Sequence, residues 1–153
     1  ATLAAMGHGL DDATVATRLD RVRALCLALP ETTERLSHGS PSFFVRGKKT
    51  FVMFLDDHHG DGRLALWVAA PAGAQAGLVD LEPERFFVPP YVGHRGWLGV
   101  RLDRDLDWDE VAGIVEDAYC CVAPRTLVAL VRAGSLPGGS SGPDDRPGPP
   151  AAG

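Results

Sequence analysis

What this chain lacks narrows its reading first. It holds only three cysteines, Cys26, Cys120 and Cys121, and two of them are adjacent. Neither a disulfide framework nor the paired spacing of a zinc site can be drawn from them. No run approaches the roughly 18 apolar residues that span a bilayer, and the start has no charged-then-apolar secretion leader. These absences fit a reducing cytoplasm and leave no membrane partner. Neither a Walker phosphate loop nor a dinucleotide GxGxxG motif occurs, so nucleotide chemistry has no signal and no cofactor is expected. There is no internal repeat. Positive charge is also short: 15 Lys and Arg face 20 Asp and Glu, a net charge of −5. A nucleic-acid role would need basic residues gathered on one surface.

What is present describes one small domain. A chain of 153 residues, 45% hydrophobic and 23% charged, is long enough to bury a single core without a disulfide or metal staple. Glycine, at 18, and proline, at 12, exceed ordinary usage, and much of the surplus lies at the end. From Pro137 to Gly153, ten of 17 residues are Pro or Gly and none is aromatic or β-branched. Such a segment buries too little apolar surface to offset its ordering entropy. The expected organisation is a patternless leader over 1–10, with Ala1 to Ala5 preceding Met6, a folded domain over 11–136 and a disordered tail over 137–153.

Between Thr14 and Leu29, Val15, Leu19, Val22, Leu25, Cys26 and Leu29 recur at helical steps, with Asp11, Asp12 and Thr14 as capping candidates and Pro30 as the stop. Three strands are predicted next, Ser42 to Arg46, Thr50 to Leu55 and Arg63 to Val68, joined by a tight turn at Gly47, Lys48 and Lys49 and a polar loop from Asp56 to Gly62. A short helix is expected over Pro71 to Leu78, and a further strand over Trp97 to Leu102, with Phe86 to Tyr91 leading toward it. Trp108 to Val122 reads as an amphipathic helix capped by Asp107, with Glu110 three residues on. Pro124 opens a last helix through Ala133. The fold class is α+β: an antiparallel sheet of about four to five strands flanked by an N-terminal helix and two C-terminal helices.

The segments LALPETTERLSHGSPSFFVRGKKTF, FFVPPYVGHRGWLGVRL and DWDEVAGIVEDAYCCVAPRTL resemble, in order and spacing, the MmcQ/YjbR family. The resemblance covers roughly Leu19 to Leu130, and Pro89, Pro90, Tyr91, Gly93, Arg95, Gly96 and Trp97 are its most specific part. It implies a compact α+β fold likened to a double-wing DNA-binding domain, and the usual label "DNA-binding", which rests on fold analogy. Charge departs from that picture. Asp103 to Asp117 carries seven acidic residues against one Arg, a face DNA would avoid. The basic alternative is Arg46, Lys48 and Lys49 at a hairpin tip with Arg95 and Arg101, enough for modest, salt-sensitive contact with phosphates.

Two functional readings follow. In the first, favoured by the family label, the chain is a non-catalytic nucleic-acid-binding protein whose Arg46, Lys48, Lys49 hairpin acts as a wing, with Arg95 and Arg101 beside it. In the second, favoured by the acidic balance, it binds an aromatic small molecule. There, Phe43, Phe44, Trp67, Tyr91 and Trp97 would line a cleft, with His38, Ser40, His94 and Arg95 as polar anchors. Heavy use of Ala, Gly, Arg and Asp suggests a GC-rich bacterial genome, where natural-product chemistry, and hence sequestration or resistance, is common. The bland reading of these aromatics is core packing, and that of His38 and His94 is a turn hydrogen bond. An interaction module would require an exposed apolar patch, which nothing in the sequence demands. Asp56, Asp57, His58, His59 and Asp61 fit neither a calcium loop nor a zinc helix, and a solvated loop explains them. No Ser or Cys stands in a nucleophile context, and no enzyme is expected.

Overall fold

The computed structural model describes residues 7–135. The expected tail over 137–153 and residues 1–6 of the expected leader lie outside the described residues. The chain divides into two units, 1–123 and 124–153. In the first, the order is α1 (Asp12–Leu27), β1 (Thr32–Ser37), β2 (Ser40–Val45), β3 (Lys49–Asp56), β4 (Leu64–Val68), α2 (Ala74–Leu81), β5 (Phe86–Phe87), β6 (Leu98–Arg101) and α3 (Trp108–Val122). The second unit contributes α4 (Arg125–Ser135), an amphipathic helix that follows Pro124. No helix among the described residues is long and apolar enough to cross a membrane.

The sheet has six strands in the order β1-β2-β3-β4-β6-β5, every neighbouring pair antiparallel. That is one or two strands more than the sequence indicates. β1 escapes notice because its TTERLS segment is polar at an edge, where burial does not enforce alternation. β5 is only two residues long. The helices follow their caps. Asp11 accepts from the Thr14 N–H at 2.8 Å to start α1, and Asp107 accepts from Asp109 and Glu110 to start α3.

Cross-strand partners share a face, so the register sorts the side chains. Phe43, Val52, Val68 and Leu98 form one row, and Phe54, Leu66, Val100 and Phe86 another on the same face; all eight are buried. α1 and α3 pack on this sheet at β3. Val22 and Cys26 of α1 and Val111, Val115, Ala118 and Tyr119 of α3 are buried. The β2–β3 register slips between Phe43 and Phe44, leaving Phe51 without a cross-strand partner. Its ring meets Tyr119 edge-on at 5.4 Å, and the Tyr119 hydroxyl donates to the Pro30 carbonyl at 2.7 Å, tying α3 to the chain leaving α1. The opposite face carries the row Ser42, Met53, Trp67, Gly99 and Phe87.

Arg101 serves this framework. Its guanidinium donates twice to the Asp103 carboxylate, at 2.9 and 2.8 Å, and the Asp103 side chain is 1% exposed. Burial pushes that carboxyl up, but the hydrogen bonds and charge of Arg101 outweigh it and hold Asp103 below the ordinary carboxylate value. Arg101→Ala would remove both hydrogen bonds from the buried carboxylate and leave it only the longer 3.7 Å pairing with Arg104, and a loss of about 2–3 kcal/mol in urea unfolding is expected. Because the Asp103 pKa is depressed in the folded state, wild-type stability falls as pH drops below about 3.8. The variant should lack that part of the acid slope.

Candidate functional site

Short segments at the sheet's ends enclose a cleft of about 1090 Å³. Its lining includes His38 and Ser40 of the first hairpin, Lys48 and Lys49 of the second, Met53, Leu55 and Trp67 of the sheet, the Asp56–His59 loop, and Tyr91, Arg95 and Trp97. Both hairpins turn tightly through paired positive φ angles, His38 (52°) with Gly39 (82°) and Arg46 (55°) with Gly47 (67°). This geometry matches the right-handed twist of the flanking strands. The third wall is fixed from α2, where Gln75 Nε2 donates to the carbonyls of Gly93 at 2.8 Å and Trp97 at 2.6 Å.

Backbone strain gathers here. Among the described residues, six non-glycine residues have positive φ, and four of them, His38, Asp57, His59 and Tyr91, line the cleft. Tyr91 (φ 67°) sits in a three-residue turn closed by the Val92 N–H on the Pro90 carbonyl, and its ring is 68% exposed. Left-handed backbone in side chains of this kind costs on the order of 1–3 kcal/mol per residue and tends to collect at binding sites.

The aromatic rings form one cluster. His58 lies edge-on to Trp67 at 4.9 Å and to Tyr91 at 6.0 Å, and stacks obliquely on His59 at 4.1 Å. Tyr91 is 6.3 Å from Trp67, and the Arg95 guanidinium lies 5.3 Å from the centre of the Trp97 ring. Two buried polar atoms in this cluster, His58 Nε2 and Trp67 Nε1, have no hydrogen-bond partner among the described residues. An unmatched buried donor costs about 1–3 kcal/mol, so their pairing in one place needs a reason.

The cations of the cleft differ from six arginines elsewhere. Arg23, Arg46, Arg63, Arg85, Arg101 and Arg104 each meet a carboxylate. Lys48, Lys49 and Arg95 meet none within ion-pair distance among the described residues. The two carboxylates at the rim are engaged by other groups. Asp56 accepts from His8 Nε2 at 2.6 Å, and Asp57 accepts from the Gly62 N–H at 2.7 Å. His8 lies inside the span expected as a leader, and its ring also accepts from the Leu10 N–H.

The structure brings together part of each expected set. Of the aromatic set, His38, Ser40, Trp67, Tyr91, Arg95 and Trp97 share the cleft, while Phe43, Phe44 and His94 do not line it. Phe43 is fully buried in the core row, Phe44 lies under the Arg35 guanidinium, and His94 is exposed on a 3-10 turn. Of the basic set, Lys48, Lys49 and Arg95 meet in the cleft. Arg46 is tied to Glu31 at 2.7 Å. Arg101 pairs with Ala65, which pairs with Leu55, six residues along β3 from Lys49, or roughly 20 Å along the strand. It therefore does not stand beside the hairpin tip. The sequence reading missed Met53, His58 and His59. The histidines were assigned to a solvated loop because nothing in a run of Asp, His and Gly announces that left-handed turns at Asp57 and His59 fold one imidazole onto Trp67.

A family model, YjbR, matches residues 27–121, more than half of the chain. The chain belongs to the YjbR family. This YjbR protein is also similar to the crystal structure of the Deinococcus radiodurans protein DR2400, a DUF419 domain. The TM-score is 0.61 at 19% identity, covering 81% of this chain and 95% of that one, a likeness of fold. No curated protein matches it. The family match spans β1 to α3 and so contains the whole described cleft lining apart from Val122.

Burial, aided by the neighbouring His59, pushes the His58 pKa below its ordinary value of 6.5, against a smaller upward pull from Asp61. His58 is therefore neutral at pH 7. In acid the unfolded chain takes up this proton before the folded chain does, so stability should decline as pH falls below about 6.5. Urea unfolding of wild type and His58→Asn between pH 7.5 and 5.5 checks this, with a shallower decline expected in the variant.

Proposed function

We propose that this YjbR protein is a non-catalytic receptor for a flat aromatic small molecule, bound in the cleft between the β2–β3 hairpin, the His58 loop and the Tyr91–Trp97 segment. The observation that carries the reading is an aromatic cluster at a concave site: the rings of His58 and Tyr91 gather against the buried Trp67 in a cleft of about 1090 Å³ that Trp97 also lines. Small-molecule sites are typically concave, largely apolar and lined by aromatic residues with a few fixed polar groups. The four strained residues at the rim support it further, since left-handed side-chain residues persist where a particular surface has to be presented. Sequestration of a natural product is one role such a receptor serves.

The second reading is nucleic-acid binding. It is favoured by the grouping of Lys48, Lys49 and Arg95, three cations without carboxylate partners, beside rings on which bases would stack. Three cations make a smaller phosphate footprint than the five-residue wing the sequence suggested, and the acidic start of α3 remains unfavourable to a duplex.

One titration separates the two. Quenching of intrinsic tryptophan fluorescence by 2-naphthylmethanol is expected to saturate, and Tyr91→Ala, a change at an exposed ring, is expected to weaken it about tenfold or more. Labelled single-stranded and duplex DNA are followed in parallel by anisotropy at low and moderate salt. Salt-sensitive DNA binding that disappears in the Lys48→Ala, Lys49→Ala double variant, with no saturable quenching, would move the assignment to nucleic acid.

A further inference from the structure

The cleft reading leaves open what group the aromatic ligand carries. Trp67 bears on that choice. Its side chain is 2% exposed, yet the indole N–H has no acceptor, and it lies among residues that line the cleft. An indole nitrogen only donates. Beside it, His58 Nε2 is buried and unmatched as well, and an imidazole nitrogen donates or accepts according to its tautomer. Two unsatisfied buried groups, on neighbouring rings that line one cleft, describe the complement of a hydrogen-bond acceptor.

The surrounding charge selects among acceptors. Lys48, Lys49 and Arg95 face the cleft against Asp56 and Asp57, a local excess of positive charge in a chain whose net charge is −5. Both carboxylates are already held, Asp56 by His8 and Asp57 by the Gly62 N–H. An anionic acceptor therefore meets unpaired cations and an unpaired donor, whereas a cationic ligand meets neither.

Resting on the receptor reading, we infer that the cleft recognises an aromatic carboxylate: the ring lies among Tyr91, Trp97 and His58, one carboxylate oxygen accepts from Trp67 Nε1–H, and Lys48, Lys49 and Arg95 supply the opposing charge. The rings of His58 and Tyr91, 4.9 and 6.3 Å from Trp67, lie against the indole. Binding displaces them. The loop that carries His58 is bounded by the left-handed residues Asp57 and His59, and Tyr91 is left-handed too, so both rings ride on strained backbone.

The test compares three probes of one ring system by calorimetry on the full chain: 2-naphthoate, 2-naphthylmethanol and 2-naphthylmethylammonium. Naphthoate is expected to bind at least tenfold more tightly than the alcohol, and the ammonium more weakly than either. Trp67→Phe should remove most of the naphthoate advantage over the alcohol. Because Trp67 is a core residue, a second measurement uses wild-type protein labelled with 15N-tryptophan, its indole signals assigned with Trp97→Phe and Trp108→Phe. Naphthoate should move the Trp67 indole proton downfield as it gains an acceptor, and further than the alcohol does, because a carboxylate is a stronger acceptor than a hydroxyl. Equal affinity for naphthoate and alcohol, or an unmoved Trp67 indole at saturation, would overturn the carboxylate assignment while the aromatic receptor stands. Absence of binding by all three probes at millimolar concentration would remove the receptor reading and this inference together.

Discussion

The pairing of β4 between β3 and β6 is the constraint on which the cleft depends. Met53 faces Trp67 and Trp67 faces Gly99, so one register fixes the indole at the middle of the sheet and sends Leu66 and Val68 into the opposite, fully apolar face. A slip of one residue in β4 would exchange these sets. It would bury Trp67 under the helices and turn Leu66 and Val68 toward the cleft. The apolar rows against α1 and α3 hold the register, because any other pairing exposes Phe54, Leu66, Val68 and Val100 to water. The cleft thus borrows its geometry from a core with which it shares strands.

Around that rigid floor the walls are short and strained. The two hairpin turns, the His58 loop and the Tyr91 turn each contain a non-glycine residue with positive φ. Lys48 and Lys49 follow the Arg46–Gly47 turn, whose position is secured by Arg46 bonding Glu31 through both its side chain and its backbone N–H. Arg46 therefore positions the two lysines instead of acting with them. Arg101 likewise neutralises Asp103 beneath the sheet's end. Six of the arginines pair with carboxylates, while Lys48, Lys49 and Arg95 bring three cations without such partners to the cleft.

Much of the fold was legible in the sequence because its signals are local. The helical steps from Val15 through Cys26, the Asp107 cap and the turn at Gly47 placed α1, α3 and the β2–β3 hairpin within a few residues of where they lie. β1 was not legible, since an edge strand of Thr, Glu, Arg and Ser has no face that burial must keep apolar. At the cleft, Trp67, Tyr91, Arg95 and Trp97 could be named from their types and motif. Phe43 and Phe44 could not be separated from them, because adjacent strand positions point to opposite faces and composition does not say which face is covered. His58 needed the backbone, since only its left-handed neighbours carry it onto the indole.

The contact between Gly99 and Phe87 bears on how this family can vary. The two residues are cross-strand partners, and any Cβ at position 99 would run into the Phe87 ring, which also packs beneath the Arg63 guanidinium at 3.9 Å. The phenyl ring fills the space that a side chain on β6 would occupy, next to Trp67. Positions 87 and 99 are therefore not free to drift separately. A relative with a larger residue at the second must carry a smaller one at the first, and the two together set how much room remains beside the indole. Covariation at this pair would record how the width of the cleft floor has been tuned across the family without any change in the residues that touch a ligand.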